Sequence, residues 1–246
     1  MSRYGRSSRY EYYSQPTSYE LRSRGEEYIR KQRAKGIDMH PVHARSNSRN
    51  ICDSWWGISW CRNLERYADY ANRLARGRSY VRADAILDLQ IEPGEVNATV
   101  QGSSSRPYQI RITIDPLSAG QLKKLEDTCF NKVKNLDELL GGKFPEDLKA
   151  VFFDRDGLFP TPREIHFHCS CPDWASMCKH VAAVMYGIGL RLDEDPMGFF
   201  VLRGLDPDKF IARAVESRVS LMLKNAKKKS TRIIDDQDVD ALFGVF

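Results

Sequence analysis

The feature that most constrains this chain of 246 residues is a compact group of cysteine and histidine residues near position 170. It reads Cys-x-Cys, six residues, then Cys-x-His, and its members are Cys169, Cys171, Cys178 and His180. Alternate side chains of a strand share one face, so Cys169 and Cys171 can reach the same point. Residues two apart in a helix diverge by roughly 200°, so Cys178 and His180 converge only at the helix start. The spacing therefore predicts a cluster that joins the end of a strand to the beginning of a helix.

The donor types in this cluster predict a metal centre. Three thiolates and one imidazole suit Zn²⁺ in tetrahedral geometry better than an iron–sulfur cluster. Four protein ligands leave no coordination position for water or substrate, which indicates a structural ion rather than a catalytic one. We therefore expect the four residues to bind one zinc ion. His166 and His168 have the opposite strand parity and are expected to face away from it.

The same residues carry a resemblance to a known family. The CxC…CxH arrangement, followed by Val-Ala-Ala-Val at 181–184, is similar to the SWIM zinc finger. That finger occurs with bacterial Swi/Snf-type helicase ATPases, plant transposases and some eukaryotic signalling proteins. Further segments resemble the stand-alone bacterial SWIM proteins, namely 55–57, 70–78, 93–96, 157–160 and 169–186. The resemblance covers roughly residues 50–205 and implies zinc binding by the four residues, with a role in DNA or protein interaction often beside a helicase. It implies no reaction.

Hydrophobic patterning around the cluster predicts an α+β fold: a small antiparallel β-meander with surrounding helices, plus a helical zinc-finger unit. Apolar residues from Trp60 to Leu74 recur at helical spacing, and Gly77 is expected to end that helix. Strands are predicted at 85–91, 95–101, 108–114 and 164–169. The expected units are a disordered basic Arg/Tyr-rich tail (1–50), an α+β domain (51–155), the SWIM-type finger (156–205), an amphipathic helix with a basic end (206–232) and an acidic then apolar peptide (233–246).

Positive charge is distributed unevenly along the chain. The formal net charge is +5, but the first 50 residues hold eleven Arg and Lys against five acidic residues. This segment is interpreted as a solubilising tail or as a segment that contacts phosphates and stacks on bases. Lysines near the end of the amphipathic helix also suit the helix dipole without any partner. The candidate nucleic-acid contacts are Arg73, Arg76, Arg78 and Arg82, which a loop could gather into one patch, and Lys224, Lys227, Lys228 and Lys229.

Several other side chains have a structural interpretation. Trp174, inside the finger, is expected to cap its loop against the helix that follows the cluster. Cys52, Cys61 and Cys129 lie at or beside apolar helical positions and are expected to be small buried side chains. The alternative for Cys52 and Cys61 is a second metal site with two nearby histidines, for which the surrounding sequence provides no regular scaffold.

The chain carries none of the common catalytic signatures, so we expect it not to be an enzyme. It has no G-x-x-x-x-G-K-[ST] for ATP hydrolysis, no H-E-x-x-H and no G-x-S-x-G. No apolar run approaches the roughly 18 residues of a membrane span, and we expect a cytoplasmic protein.

The favoured function is a non-enzymatic zinc-binding adaptor that engages nucleic acid, with a Swi/Snf-type helicase as the implied partner. The alternative is a protein-interaction module whose zinc is purely structural.

Overall fold

The structure, a computed structural model, describes residues 15–44, 50–65, 71–132, 149, 152, 157–175 and 177–226. In chain order the elements are α1 (Ser18–Arg33), α2 (Trp55–Glu65), α3 (Ala71–Arg82), β1 (Ile86–Glu92), β2 (Glu95–Val100), β3 (Tyr108–Ile114), α4 (Ala119–Lys132), a 3-10 turn (Pro162–Glu164), β4 (Ile165–Cys169), α5 (Lys179–Glu194), α6 (Gly198–Leu202) and α7 (Pro207–Ala226). The α+β class is confirmed. Among the helices of these segments, none combines the length and the apolar character needed to cross a bilayer.

The four strands form one antiparallel sheet in the order β1-β2-β3-β4. Gly94, in the tight turn between β1 and β2, has a φ of 72°, a left-handed conformation that glycine adopts without steric cost. Strand β4 returns from far along the chain and pairs with β3, which places Cys169 opposite Ile110. The sheet therefore carries Cys169 at its edge, and Cys171 lies in the turn that follows. One face of the sheet is buried and includes Val96, Ala98, Ile110 and Ile112.

Helix α5 lies at the centre of the core. Twelve of its sixteen residues are buried, because α2, α3 and the sheet all pack against it. Two indole N–H groups of α2 donate hydrogen bonds to its backbone: Trp56 to the carbonyl of Leu192 at 2.7 Å, and Trp60 to the carbonyl of Met185 at 2.8 Å. A helix that is apolar on all sides is typical of a core element. The cluster residues at its start are therefore held by the best-packed part of the protein.

Gly77 lies inside α3 and does not end the helix, contrary to the sequence prediction. A Cβ atom at Gly77 would lie 2.7 Å from the Cβ of Ala182, and 2.8 Å and 2.9 Å from backbone atoms of Ala182 and Ala183. The glycine is needed because the backbones of α3 and α5 approach each other closely. The single helix predicted from Trp60 to Leu74 is divided between α2 and α3, and the intervening residues 66–70 lie outside the described residues.

Helix α1 corrects the expectation of a disordered tail over 1–50. A capping box begins it: the N–H of Glu20 donates to the hydroxyl of Thr17 at 3.2 Å, and the N–H of Thr17 donates to the Glu20 carboxylate at 2.8 Å. Leu21 and Gly25 are buried, and a Cβ at Gly25 would lie 2.7 Å from a methyl of Leu87. The contact face consists of one leucine and one glycine, so the sequence of α1 has no apolar stripe from which its packing could be predicted. Residues 1–14 and 45–49 lie outside the described residues.

A second part of the N-terminal segment, residues 39–42, runs along the outer edge of β1. The N–H of Leu89 donates to the carbonyl of His40 at 3.0 Å, and the N–H of Val42 donates to the carbonyl of Ile86 at 3.1 Å. The side chains of Met39 and Val42 are buried. The edge of β1 therefore has backbone partners although this segment is not a regular strand.

Candidate metal centre

The fold brings the four residues of the cluster together at the junction of β4 and α5. Cys169 is the last residue of β4, and Cys171 lies in the turn that follows. Cys178 is the N-cap of α5 with an extended ψ of 172°, and His180 is in the first turn. One ligand atom from each residue lies within 4.8 Å of the other three. This is the strand-to-helix junction that the spacing predicts.

The distances between these atoms fit one tetrahedral metal ion. Nδ1 of His180 lies 3.8 Å from Sγ of Cys178 and 4.0 Å from Sγ of Cys169. Tetrahedral donors at zinc-like bond lengths of about 2.3 Å for sulfur and about 2.0 Å for nitrogen are about 3.5–3.8 Å apart. A small inward movement therefore suffices for coordination. Three sulfurs and one nitrogen also match the ligand preference of a metal of intermediate softness.

His180 is held by aromatic side chains from two other elements. It is 3% exposed, and its ring centroid lies 4.5 Å from that of Tyr108 and 5.4 Å from that of Tyr80. Nδ1 faces the thiols, whereas Nε2 is buried without a hydrogen-bond partner beside Gly102. Nδ1 is therefore the atom available to a metal. Sequence spacing does not reveal the two tyrosines, because they come from α3 and β3.

Contacts within the cluster favour negative charge at Cys178. A hydrogen bond from Cys169, together with contacts from His180 and the N–H of Val181, outweighs burial and lowers the pKa of Cys178 to about 4. The same contact with Cys178, and burial, raise the pKa of Cys169 well above its usual range. The N–H of Val181 lies 3.5 Å from Sγ of Cys178. The positive end of the α5 dipole adds to this stabilisation of a thiolate.

The loop between Cys171 and Cys178, called the finger loop below, presents Trp174 to solvent. Trp174 is 95% exposed, which corrects the expectation that it packs against α5. The face of α5 that could receive it is already covered by α3 and the sheet. Asp173 accepts a hydrogen bond from Arg73 at 2.5 Å, so an ion pair attaches the finger loop to α3.

The four arginines proposed as one patch all lie on helix α3, not in a loop. Helical spacing places Arg73 and Arg76 on the side next to the finger loop, and Arg78 and Arg82 on roughly the opposite side. Arg78 pairs with Glu65 at 3.1 Å, and Arg76 is exposed. The expectation of a single four-arginine patch is therefore wrong, and only Arg73 and Arg76 lie beside the cluster.

The remaining predicted site residues lie elsewhere. Lys224 is exposed near the end of α7, and residues 227–229 lie outside the described residues, as does the side chain of Cys129. His166 and His168 are exposed on the outer face of β4, in agreement with their parity, and Nε2 of His166 lies 3.2 Å from a carboxylate oxygen of Asp115.

Comparison with known proteins identifies a relative of this chain. The chain is 39% identical over 179 residues to the uncharacterized protein Rv2102 of Mycobacterium tuberculosis. The match covers 72% of this chain and 64% of that protein, so the chain spans less than two thirds of its relative. No family model and no solved structure matches the chain. The name of the relative states no activity, and the geometry of the site therefore carries the functional argument.

Proposed function

We propose that this protein is a SWIM-type zinc-binding adaptor without catalytic activity, and that its finger loop engages nucleic acid. The observation that carries the proposal is Trp174, a large aromatic side chain that is 95% exposed on a loop anchored at both ends by cluster residues. An exposed indole on an anchored loop is suited to stack on a base, because little further order is lost on binding.

The ion in this proposal has a structural role. Zn²⁺, when bound, supplies a cross-link between β4 and α5 and no reaction, because four protein donors fill its coordination sphere. The chain prepares the site: the N–H of Val181 and the α5 dipole stabilise charge at Cys178, and two tyrosine rings orient His180.

Charges beside the finger loop support contact with a phosphate backbone. Arg76 is exposed one helical turn from Arg73, whose ion pair with Asp173 attaches α3 to the loop. Arg106 is exposed in the β2–β3 loop, two residues before the Tyr108 ring that contacts His180. Guanidinium groups bind phosphates while an aromatic ring stacks on an unpaired base. The arrangement favours a single strand as the ligand.

The chain lacks an ATP-binding P-loop, and its resemblance to SWIM proteins supports a Swi/Snf-type helicase as the partner that supplies ATPase activity.

Trp174→Ala is expected to weaken binding to a single-stranded oligonucleotide by about 5- to 150-fold, because base stacking contributes about 1–3 kcal/mol. Fluorescence anisotropy with a labelled 20-nucleotide strand measures the Kd. His166→Ala is the matched control, because His166 is an exposed aromatic ring on the outer face of β4 and outside the proposed contacts, and the Kd of this variant is expected to be unchanged. Trp174→Phe should retain most of the affinity.

Salt dependence tests the phosphate contacts separately. Affinity is expected to fall steeply between about 50 and 200 mM salt. Arg76→Ala is expected to reduce the slope of log K against log salt concentration by about one, because one fewer counterion is released on binding. A zinc-loaded protein that does not bind at micromolar concentration, or that binds equally at both salt concentrations, contradicts nucleic-acid binding.

A protein-interaction module is the second candidate function, and helix α7 favours it. Four apolar side chains of α7 are between 37% and 60% exposed, at helical spacing: Val215, Val219, Met222 and Leu223. Exposed apolar stripes mark surfaces that bind other proteins. Failure of the nucleic-acid experiments would make this the preferred function.

A further inference from the structure

Two buried cysteines lie together at the contact of α2 with α5, away from the metal centre. Their Sγ atoms, of Cys52 and Cys61, are 3.5 Å apart, and their residues are 1% and 8% exposed. Both contact Gly189, which is nine residues after His180 and thus about 13 Å along α5 from it. The thiol pair is therefore a separate feature of the core.

Gly189 of helix α5, which has no side chain, makes room for this thiol pair. A Cβ atom at Gly189 would lie 2.9 Å from Sγ of Cys52 and 3.2 Å from Sγ of Cys61. It would also lie 3.2 Å from the indole of Trp60, whose N–H is bonded to the α5 backbone. Any larger residue at 189 would force the sulfur atoms out of their positions. Packing by α2 and α5 thus holds the two thiols in contact.

The thiol pair lines a cavity of about 170 Å³ with polar walls. Arg62 and Glu65 are exposed, so the cavity opens to solvent on their side. Nε of Arg78 donates to the hydroxyl of Tyr186 at 3.0 Å, and that hydroxyl donates to Glu65 at 3.2 Å. A cavity with these groups can admit a small polar molecule to sulfur atoms that are otherwise buried. Two arginines, Arg62 and Arg78, line the same cavity as the thiols.

We propose that Cys52 and Cys61 are a redox modification site, at which a hydroperoxide converts the thiol pair into an intramolecular disulfide. In the first step a thiol gives up its proton, its sulfur attacks one peroxide oxygen, the O–O bond breaks, and the departing hydroxide takes up the proton, so that a sulfenic acid and one water form. In the second step the other thiol sulfur attacks the sulfenic sulfur, the S–S bond forms, and the hydroxyl leaves with the proton of that thiol as a second water. The two thiols lose two electrons and hydrogen peroxide gains them, and an external thiol reverses the change. Arg62 and Arg78, which line the cavity, are the cations available there to the thiolate and to the departing hydroxide.

The movement required for bond formation is small. The sulfur atoms must approach by about 1.5 Å, from 3.5 Å to a disulfide bond length of about 2.05 Å. Cys52 precedes α2 in a segment without regular structure, so no helix hydrogen bond fixes its position. Cys61 is the more exposed of the two, at 8% against 1%, which assigns the first attack to Cys61 and the second to Cys52.

The test uses the full, zinc-loaded chain and hydrogen peroxide at a small molar excess. After free thiols are alkylated and the protein is digested without reduction, mass spectrometry should identify a peptide that joins Cys52 to Cys61 in most molecules. Zinc content should stay unchanged, and dithiothreitol should remove the cross-link. Cys52→Ser should abolish the cross-link and leave a sulfenic acid at Cys61 that dimedone labels.

Two results would overturn the proposal. One is the absence of the cross-linked peptide at peroxide concentrations that already release zinc. The other is a disulfide that joins either residue to a cysteine of the metal centre. Zinc content of the Cys52→Ser variant shows that it remains folded, because the metal centre depends on α5.

Discussion

His180→Ala is expected to reduce bound zinc from about one ion per chain to less than about a tenth of that, and to lower Tm by about 6–20 °C. The four proposed ligands come from β4, the turn after it and the start of α5, so we expect metal binding to be coupled to folding at this site. Loss of a structural metal belongs to the substitutions that cost about 3–5 kcal/mol or more. In a chain of this size, each kcal/mol corresponds to about 2–4 °C in Tm. Elemental analysis and differential scanning calorimetry measure the two quantities.

His168→Ala is the matched control for this experiment. His168 is adjacent to Cys169 in β4 but is exposed on the opposite face, so its loss should leave zinc content unchanged and Tm within about 2 °C. An intact protein that contains no metal, or equal zinc in both variants, would contradict the metal centre. Iron in place of zinc would keep the site and correct the identity of the ion.

Gly77→Val is expected to destabilise the protein by about 3 kcal/mol or more, because its Cβ would meet backbone atoms of α5 at less than 3 Å. Even Gly77→Ala should cost about 1–3 kcal/mol, although alanine favours a helix by about 1 kcal/mol over glycine. For Gly77→Ala, crowding therefore predicts a loss of stability, whereas helix propensity predicts a gain. Denaturant unfolding measures the free energy of each variant.

Gly120→Ala separates these two effects. Gly120 is exposed in α4, and a Cβ there would contact nothing within 4 Å, so this substitution should stabilise the protein by up to about 1 kcal/mol. If Gly77→Ala and Gly120→Ala change stability with the same sign, close packing of α3 on α5 is not what requires Gly77.

Sequence alone predicts features of this protein that depend on local spacing. The four cluster residues lie within twelve positions, so strand and helix periodicity determine how they converge. The alternation of apolar and polar residues predicted β3 with its observed bounds, and it predicted both ends of every other strand to within one residue. Local patterns could not show that Gly77 lies in a helix contact, because the atoms it makes room for belong to Ala182 and Ala183.

Features that depend on distant contacts were missed for the same reason. Trp174 is a large aromatic residue of the kind that usually packs in a core, but it is exposed, because other elements already cover the helix it was expected to contact. Cys52 and Cys61 lack the spacing of a redox motif, and only the packing of α2 on α5 brings their sulfur atoms together. Helix α1 packs through Leu21 and Gly25, a contact too small to produce an apolar pattern.

The backbone bonds between residues 39–42 and β1 have a consequence for the behaviour of the protein in solution. An uncovered outer strand offers its N–H and C=O groups to other molecules, and intermolecular sheets then grow from it. Here Arg191 fixes the covering segment by donating to the carbonyls of His40 at 2.8 Å and Pro41 at 3.1 Å. The sequence analysis assigned this segment to a disordered tail, but it covers the edge of the sheet, and we expect a shortened chain that starts after Val42 to aggregate more readily.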